Sequence, residues 1–372
     1  MLIRQTAPVL GAASPYQQAG EWQFNVSLRQ LRSDTHYRLD QRQLEREELG
    51  TFVINRQHAA DLTASYAFTE RRSVSVGVPF SVASWSIPSP TGPVPGPRAQ
   101  QDARGLGDIT AMGRMWLLDT RSHTTGNVAV GLGVKVPTGN YDVQDMYPDR
   151  NGQNNQLRYV DQSIQPGDGG WGLMLEAQGF KRLGRAQVFG SGSYLANPRD
   201  TNGTPSLTVA RLPPGASPPA NSDRLVNSVP DQYVARVGAA VRARGRLGLS
   251  AAYRVEGQRR YDLIGKSHGF RRPGVAMFVE PGISYSKGVQ SFSINVPIAF
   301  YRNRKPDPYT GLQGDATFPR FIMLANYGYR FGGVRKTTPA TRTEADTPDS
   351  SAPWLTLPQC TANATEKPGG GQ

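Results

Sequence analysis

This chain has almost no cysteine and no long apolar runs. The lone cysteine among its 372 residues is Cys360, in the C-terminal tail, so we expect no internal disulfide and no cysteine-based metal site. No run of 18 or more apolar residues occurs and the mean hydropathy is −0.49, which together exclude a helical membrane protein. The 41 glycines and 29 prolines further disfavour a helix-rich fold and favour β architecture.

The charge balance is strongly basic, with a net charge of +13 that comes mostly from arginine. A basic excess can indicate a nucleic-acid-binding protein. Here the basic residues are spread along the whole chain, and no nucleic-acid-binding motif accompanies them. We therefore expect no nucleic-acid partner.

Alternation of apolar with polar or small residues is the dominant pattern in the chain. The first such segment places Trp22, Phe24, Val26 and Leu28 on one face of a predicted strand and polar side chains on the other. The last segment ends on an aromatic residue, as transmembrane β-strands do. Twelve segments are predicted, at residues 22–29, 62–68, 74–82, 109–117, 128–136, 171–177, 186–194, 233–241, 247–255, 275–285, 292–300 and 321–331.

The lengths of the connections alternate as regularly as the residues do. Long connections follow the odd-numbered strands, and short ones follow the even-numbered strands. A secreted β-sandwich or propeller would not keep this alternation over a dozen strands. The sequence therefore predicts an all-β fold, a single twelve-stranded antiparallel transmembrane β-barrel with short periplasmic turns and long extracellular loops, in a Gram-negative outer membrane.

Three regions are expected along the chain. Residues 1–19 form a flexible N-terminal segment, residues 20–331 the barrel, and residues 332–372 a disordered periplasmic tail rich in Thr, Pro, Ala, Ser and Gly. The N-terminus has no convincing secretory signal, so either the true start lies upstream or this is a nearly mature form. The expected partners are the barrel-assembly machinery, outer-membrane lipid and lipopolysaccharide. Loop arginine pairs such as Arg259-Arg260 and Arg271-Arg272 either contact lipopolysaccharide phosphates or are solvated.

If the apolar face meets lipid, a set of charges faces the lumen. The predicted lumen-lining residues are Arg29, Asp108, Arg114, Lys135, Glu176, Arg236, Arg254, Glu280 and Arg330, joined by Arg242, Glu256 and Arg320. Their basic excess would select polar or anionic solutes. Alternatively, the acidic members pair with neighbouring arginines and brace the wall. At twelve strands the interior is narrow, and we expect the third and fourth external loops to constrict it.

Catalysis has little support in the sequence. Some outer-membrane barrels modify lipid with a serine and a histidine, but only four histidines occur here, and no Gly-x-Ser-x-Gly motif. His123 falls in a predicted turn, and His36 and His268 fall in external loops. His58, near Asp61 and Asn55, is the one rim candidate. We expect no enzyme, no cofactor and no metal, since the acidic third loop lacks the spacing of a calcium site.

Four glycine-rich segments carry a family resemblance. They are residues 105–109 (GLGDI), 130–139 (VGLGVKVPTG), 165–172 (QPGDGGWG) and 279–285 (VEPGISY). The chain resembles the outer-membrane barrels grouped as MetA-pathway-of-phenol-degradation proteins, a transporter-like family of proteobacteria, over residues 20–331. The resemblance implies passage of small hydrophobic or aromatic molecules and transfers no functional residue. We expect a passive channel or uptake protein for small molecules; the alternative is a non-conducting structural or adhesive barrel.

Overall fold

The computed structural model describes residues 15–89, 95–218, 225–243, 245–308, 311 and 314–333. Most of the predicted N-terminal segment, nearly all of the predicted tail and Cys360 lie outside the described residues. The strands are β1 (Glu21–Arg38), β2 (Gln41–Arg42), β3 (Ile54–Ala67), β4 (Arg72–Pro88), β5 (Arg98–Leu106), β6 (Ile109–Trp116), β7 (Gly126–Val136), β8 (Gln144–Tyr147), β9 (Gln156–Tyr159), β10 (Gly172–Leu183), β11 (Ala186–Ala196), β12 (Thr201–Pro205), β13 (Val226–Ser228), β14 (Gln232–Arg242), β15 (Leu247–Gln258), β16 (Gly274–Lys287), β17 (Gln290–Asn295), β18 (Ile298–Arg304) and β19 (Ala316–Gly332). The helices are α1 (Leu44–Glu48) and α2 (Leu207–Ala210). Neither helix is long and apolar enough to cross a membrane, and the described residues contain no other helix that is.

The wall is one closed antiparallel sheet. Around it the order is β1, β3, β4, β5 with β6, β7, β10, β11, β14, β15, β16, β17 with β18, and β19. The last strand pairs with the first, from Trp22 opposite Phe331 to Tyr37 opposite Ala316, which closes the barrel. The prediction of a twelve-stranded antiparallel barrel is confirmed.

Two of the twelve wall strands are interrupted. The fourth is split into β5 and β6, which pair with the upper and lower parts of β4. The eleventh is split into β17 and β18 at Pro297, which has no N–H to donate to the sheet. The N–H of Ile322 instead donates to the Pro297 carbonyl, at 2.9 Å. The parts on both sides of each interruption stay paired with the neighbouring strands, so the ring remains closed.

Side chains alternate between the two faces of the wall, as the pattern predicts. On β1 the outward residues Trp22, Phe24, Val26 and Leu28 are between 38% and 54% exposed, whereas inward Arg29 is 8% exposed. An apolar outer face on a barrel without open edges is stable in hydrocarbon and not in water. The protein is a transmembrane β-barrel of the bacterial outer-membrane type.

Long and short connections lie at opposite ends of the barrel. The short turns include residues 68–71, 184–185 and 288–289. At the other end the loops carry structure of their own: β2 with α1, the β8–β9 hairpin, and the β12–β13 hairpin with α2. Because bacterial barrels keep short turns in the periplasm, the structured end is extracellular.

Candidate functional site in the barrel lumen

Five charged side chains form a continuous chain inside the barrel. Arg29 on β1 donates to Glu256 on β15 at 3.0 Å, and Arg254 donates to the other oxygen of Glu256 at 2.9 Å. The Nη1 atom of Arg254 lies 3.5 Å from Glu280, and the Nη2 atom of Arg236 lies 3.2 Å from the same carboxylate. We call Arg29, Glu256, Arg254, Glu280 and Arg236 the cross-lumen chain.

The chain crosses the interior instead of following the wall. In the wall, β16, the β17–β18 strand and β19 lie between β15 and β1, so the contact from Arg29 to Glu256 spans the lumen. Arg236 and Arg254 are direct partners on β14 and β15, an arrangement that is repulsive by itself. Glu280 on the next strand lies within ion-pair distance of both arginines. The sequence spacing places these side chains inside but does not reveal their partners.

Burial makes the cross-lumen chain electrostatically strong. Arg254 is 2% exposed and Glu280 is 1% exposed. Arg236 also lies over the ring of Phe189, with its guanidinium carbon 5.0 Å from the ring centre. Three arginines face two carboxylates, so the chain carries an excess of positive charge. Such a chain can stabilise an anion nearby.

A second ion pair lies lower on another side of the wall. Arg114 on β6 contacts Glu176 on β10 at 2.7 Å, although β7 lies between their strands. Both residues are register partners of Gly131, from opposite sides. A Cβ atom at position 131 would lie 3.3 Å from the Cβ of Glu176 and 3.0 Å from the sulfur of Met112. The glycine therefore leaves room for the two charges to meet above it.

The predicted residues Lys135 and Asp108 join a third cluster, at the extracellular end. The Lys135 ammonium binds Asp168 and lies 3.8 Å from Asp108. Asp108 accepts hydrogen bonds from the backbone N–H groups of Gly139, at 3.0 Å, and of Asp168, at 3.2 Å. Next to this cluster a Cβ atom on Gly167 would lie 2.2 Å from the Gly139 carbonyl oxygen. Three of the four glycine-rich segments thus meet here and lock a loop against the wall.

The locked segment is the third loop (residues 137–171), which folds inward. Its residues 160–170 are buried except for Gln162 and Ser163, which are half-buried. Asn55 and Gln57 on the inner face of β3 donate to Ser163 at 2.6 and 3.0 Å. Arg272, in the loop between β15 and β16, donates twice to Asp161, at 2.6 and 2.8 Å. The loop therefore links non-adjacent parts of the wall.

Electrostatics favours this docked position of the third loop. Burial alone would raise the pKa of Asp161, but the Arg272 guanidinium and the hydrogen bonds from Ser163 outweigh it and hold that pKa below its usual value. At the extracellular rim Asp315 behaves similarly. Against the effect of burial, the hydrogen bond from His36 and the charge of Arg46 lower the pKa of Asp315 to about 2. Both carboxylates are ionised at neutral pH and paired with cations.

Cavities lie on both sides of the cross-lumen chain. One of about 650 Å³ lies on the extracellular side, and Glu256 of the chain contributes to its lining. Its walls combine apolar, basic and acidic groups, among them Trp85, Leu207, Arg211, Arg272, Glu45 and Asp315. A second cavity, of about 370 Å³, lies at the periplasmic end and is lined by Tyr16, Glu21 and Arg330.

Arg330 faces the lumen near the periplasmic opening. It lies 3.8 Å from Glu21 and donates to the Tyr16 carbonyl at 3.1 Å. The Tyr16 ring packs edge-on against Trp116, with ring centres 4.9 Å apart. The stretch before β1 is therefore held against the inside of the barrel at this end, a contact that the sequence pattern does not predict.

One of the charges predicted to face the lumen does not. Arg320 has a 62% exposed side chain, because the β1–β19 register shifts between Leu31 and Ser33 and turns it outward. Arg242 keeps the inward parity of β14 and is exposed because it lies at the periplasmic end of that strand. Strict alternation therefore fails only at the bulge before Arg320.

The histidine interpretation also needs correction. His36 lies in β1 and is buried, where its Nε2 accepts from the Val53 N–H at 2.8 Å, so it is not in a loop. His58 points outward from β3, whereas Asn55 and Asp61 have the opposite parity and face inward. The predicted rim group is therefore split between the two faces of the wall. No cluster of potential metal ligands occurs among the described residues.

Comparison with known proteins identifies the architecture. No family model matches the chain, and no curated protein matches it. An outer membrane channel from Pseudomonas putida F1 superposes with a TM-score of 0.55 at 12% identity, covering 88% of this chain and 100% of that one. The toluene transporter TbuX of Ralstonia pickettii gives 0.40 at 10% identity, covering 85% and 90%. At such identities the first likeness shows the barrel fold alone, and the second score is too low to add to it.

Proposed function

We propose that this barrel is a narrow outer-membrane channel through which small polar or anionic molecules diffuse passively, with the cross-lumen chain as its constriction. The observation that carries this proposal is the position of that chain, between a cavity of about 650 Å³ and one of about 370 Å³ at the opposite end. A solute entering from outside would reach Glu256 and its arginine partners before it could go further.

The energetic cost of burying the cross-lumen chain favours a role in selecting solutes over a role in bracing the barrel wall alone. Removing five charges from water is costly, and well-packed apolar side chains of similar volume often stabilise a protein as well or better. A barrel that needed only a plug could use such side chains. The arginines of the chain outnumber its carboxylates, which favours anions over cations and over neutral apolar solutes.

Two likenesses support the channel role. The Pseudomonas putida protein, whose whole length is covered by this chain, is described as an outer membrane channel. We also propose that the chain belongs with the MetA-pathway-of-phenol-degradation barrels, because three of the four resembling segments converge on the Gly139–Gly167 contact. The charged constriction argues against a purely hydrophobic solute.

The test is single-channel recording of refolded protein in a planar bilayer under a salt gradient. We expect discrete current steps and a reversal potential on the anion side. Arg236→Gln should reduce the anion preference, because it removes the positive excess while Glu280 keeps its ion pair with Arg254. Arg185→Gln, on an exposed periplasmic turn, removes the same charge elsewhere and should leave selectivity unchanged.

A second candidate is a structural barrel that does not conduct. The observation in its favour is the near-complete burial of Arg254 and Glu280, at 2% and 1% exposure. A wild-type barrel that is folded but silent at all voltages would reject the channel and leave bracing as the role of the chain. Equal selectivity in the wild type and Arg236→Gln would reject the constriction.

A further inference from the structure

Four arginines project outward from four of five successive strands on one side of the barrel. They are Arg320 on β19, Arg32 on β1, Arg56 on β3 and Arg104 on β5, and we call them the arginine row. The side chains of Arg320 and Arg32 are 62% and 51% exposed, and Arg56 and Arg104 are exposed as well. None of them is needed by the proposed channel, whose lining faces the other way.

The sheet register relates the four arginines to one another, with Ser84 and the exposed Asp102 between Arg56 and Arg104. Arg32 and Arg56 are direct cross-strand partners, and Arg56 is opposite Ser84 on β4. Ser84 in turn is opposite Asp102, and Arg104 follows two residues further along β5 on the same face. With neighbouring strands about 4.8 Å apart, the row extends about 19 Å along the circumference from β19 to β5.

The row lies at the upper edge of the apolar band. Gln30 and His58 are the outward residues directly below Arg32 and Arg56, and below them the outward residues are apolar, such as Leu28 and Leu62. Arg32 is ten residues above Trp22 on β1. At a rise of about 3.4 Å per residue and a strand tilt of about 40°, this places it about 26 Å above the lower aromatic edge, close to the height of a membrane-facing band. The arginines therefore reach the level of the outer-leaflet headgroups.

The protein itself neutralises this charge only in part. Asp34 pairs with Arg32 at 2.8 Å and lies 3.8 Å from Arg320. Among the described residues, no group forms a hydrogen bond or an ion pair with the side chain of Arg56 or Arg104. Because like charges placed directly opposite each other destabilise a sheet, the pairing of Arg32 with Arg56 favours an anion between them.

Three of the four loop arginines named as lipid contacts are already engaged in contacts within the protein. Arg271 is fully buried, donating to Asp262 at 2.6 Å and to Ser228 at 2.5 Å. Arg272 is paired with Asp161, and Arg260 donates to the Asp307 carbonyl at 3.3 Å. These side chains hold the extracellular loops together, whereas the arginine row remains accessible from the membrane.

We propose that the arginine row binds the phosphate groups of lipid A, the phosphorylated glycolipid part of lipopolysaccharide. Guanidinium groups match phosphate oxygens in charge and in bidentate geometry. The height of the row, its outward orientation and its incompletely neutralised charge all fit a phosphorylated headgroup in the outer leaflet. The proposal is independent of whether the lumen conducts.

The test is a titration of the detergent-refolded protein with fluorescently labelled lipopolysaccharide. We expect Arg32→Gln combined with Arg56→Gln to weaken binding at least about tenfold, equivalent to about 1.4 kcal/mol. The matched control, Arg185→Gln combined with Arg246→Gln, removes two exposed arginines from periplasmic turns and should change the affinity less than twofold. Enzymatically dephosphorylated lipopolysaccharide should bind the wild type about as weakly as native lipopolysaccharide binds the Arg32–Arg56 variant.

Two results would overturn the assignment. One is equal affinity of the wild type and the Arg32–Arg56 variant, with both shown to be folded by heat-modifiable migration on a gel. The other is competition by phosphatidylglycerol as effective as that by lipopolysaccharide, which would indicate a general attraction for anionic lipid. Conductance measured on the same variants separates this proposal from the channel, because loss of lipid binding should leave the current steps unchanged.

Discussion

Gly167→Ala tests whether the third loop is locked by backbone contact. A Cβ atom at this position would lie 2.2 Å from the Gly139 carbonyl oxygen and 2.5 Å from its carbonyl carbon. This is at least about 1 Å inside normal van der Waals contact, and the opposing atoms are backbone, so the loop must move. Movement would also break the two bonds from the Gly139 and Asp168 N–H groups to Asp108.

The expected destabilisation of the docked loop is the sum of the steric cost and the cost of the two lost hydrogen bonds. Overpacking of this kind costs about 1–3 kcal/mol, and each lost hydrogen bond adds about 1 kcal/mol. The docked loop should thus lose about 3–5 kcal/mol, which raises its undocked population by about a hundredfold or more. The wall strands are not touched, so the barrel itself should stay folded.

The assay is amide hydrogen exchange in detergent micelles, read at Gly139, Asp168 and Gly170. In Gly167→Ala these amides should exchange about a hundred times faster than in the wild type, while amides of β15 keep their rates. The control is Gly113→Ala on β6, where the nearest atom to the added Cβ would be the Leu132 oxygen, at 3.8 Å. Wild-type exchange rates in Gly167→Ala would refute the reasoning.

Three further predictions concern buried charges. Arg272→Met leaves the Asp161 carboxylate buried without its cation and should lower the free energy of unfolding by about 3–5 kcal/mol in a urea titration; an effect below about 1 kcal/mol would contradict it. The pKa of Asp315 is about 2, below its value of 3.8 in an unfolded chain, so its stabilisation should be complete above pH 4 and be lost as the pH falls through 2. Thermal unfolding of the wild type and Asp315→Asn should therefore differ at pH 6 and converge at pH 2. Gly131→Leu should separate the ion pair of Glu176 and destabilise the barrel by about 1–3 kcal/mol, and unchanged urea midpoints would show that the pair does not need the glycine.

The barrel could be predicted because the sequence of a transmembrane strand follows one simple pattern. Residues alternate between lipid and lumen, and this parity alone indicates that Arg29, Arg254 and Glu280 point inward. It does not indicate that Arg29 meets Glu256, because the two residues are far apart in the chain and their strands are not adjacent. Parity fails for Arg320, where a register shift in the wall turns the side chain outward. A bulge of this kind leaves no trace in the polar and apolar pattern.

The third loop was harder to predict, for a different reason. Its docking depends on contacts such as Gln57 with Ser163 and Arg272 with Asp161, which have no periodicity in the sequence. The glycines at 107, 139 and 167 were visible as family-like motifs, but their purpose is a close approach of three backbones, which requires the fold to be known. The alternation of residues in the sequence therefore predicts the strands of the wall, whereas the contacts in the interior become visible only in the folded structure.

Closure of the ring by β1 and β19 sets a condition on biogenesis. Trp22 pairs with Phe331, so the first wall strand to leave the ribosome must wait for the last before its outer edge is covered. Contacts between such distant parts of a chain form slowly, and an exposed strand edge invites pairing with other chains. The nascent polypeptide therefore has to be kept apart from its copies while it crosses the periplasm, and a truncation that removes β19 should yield aggregates rather than a smaller barrel.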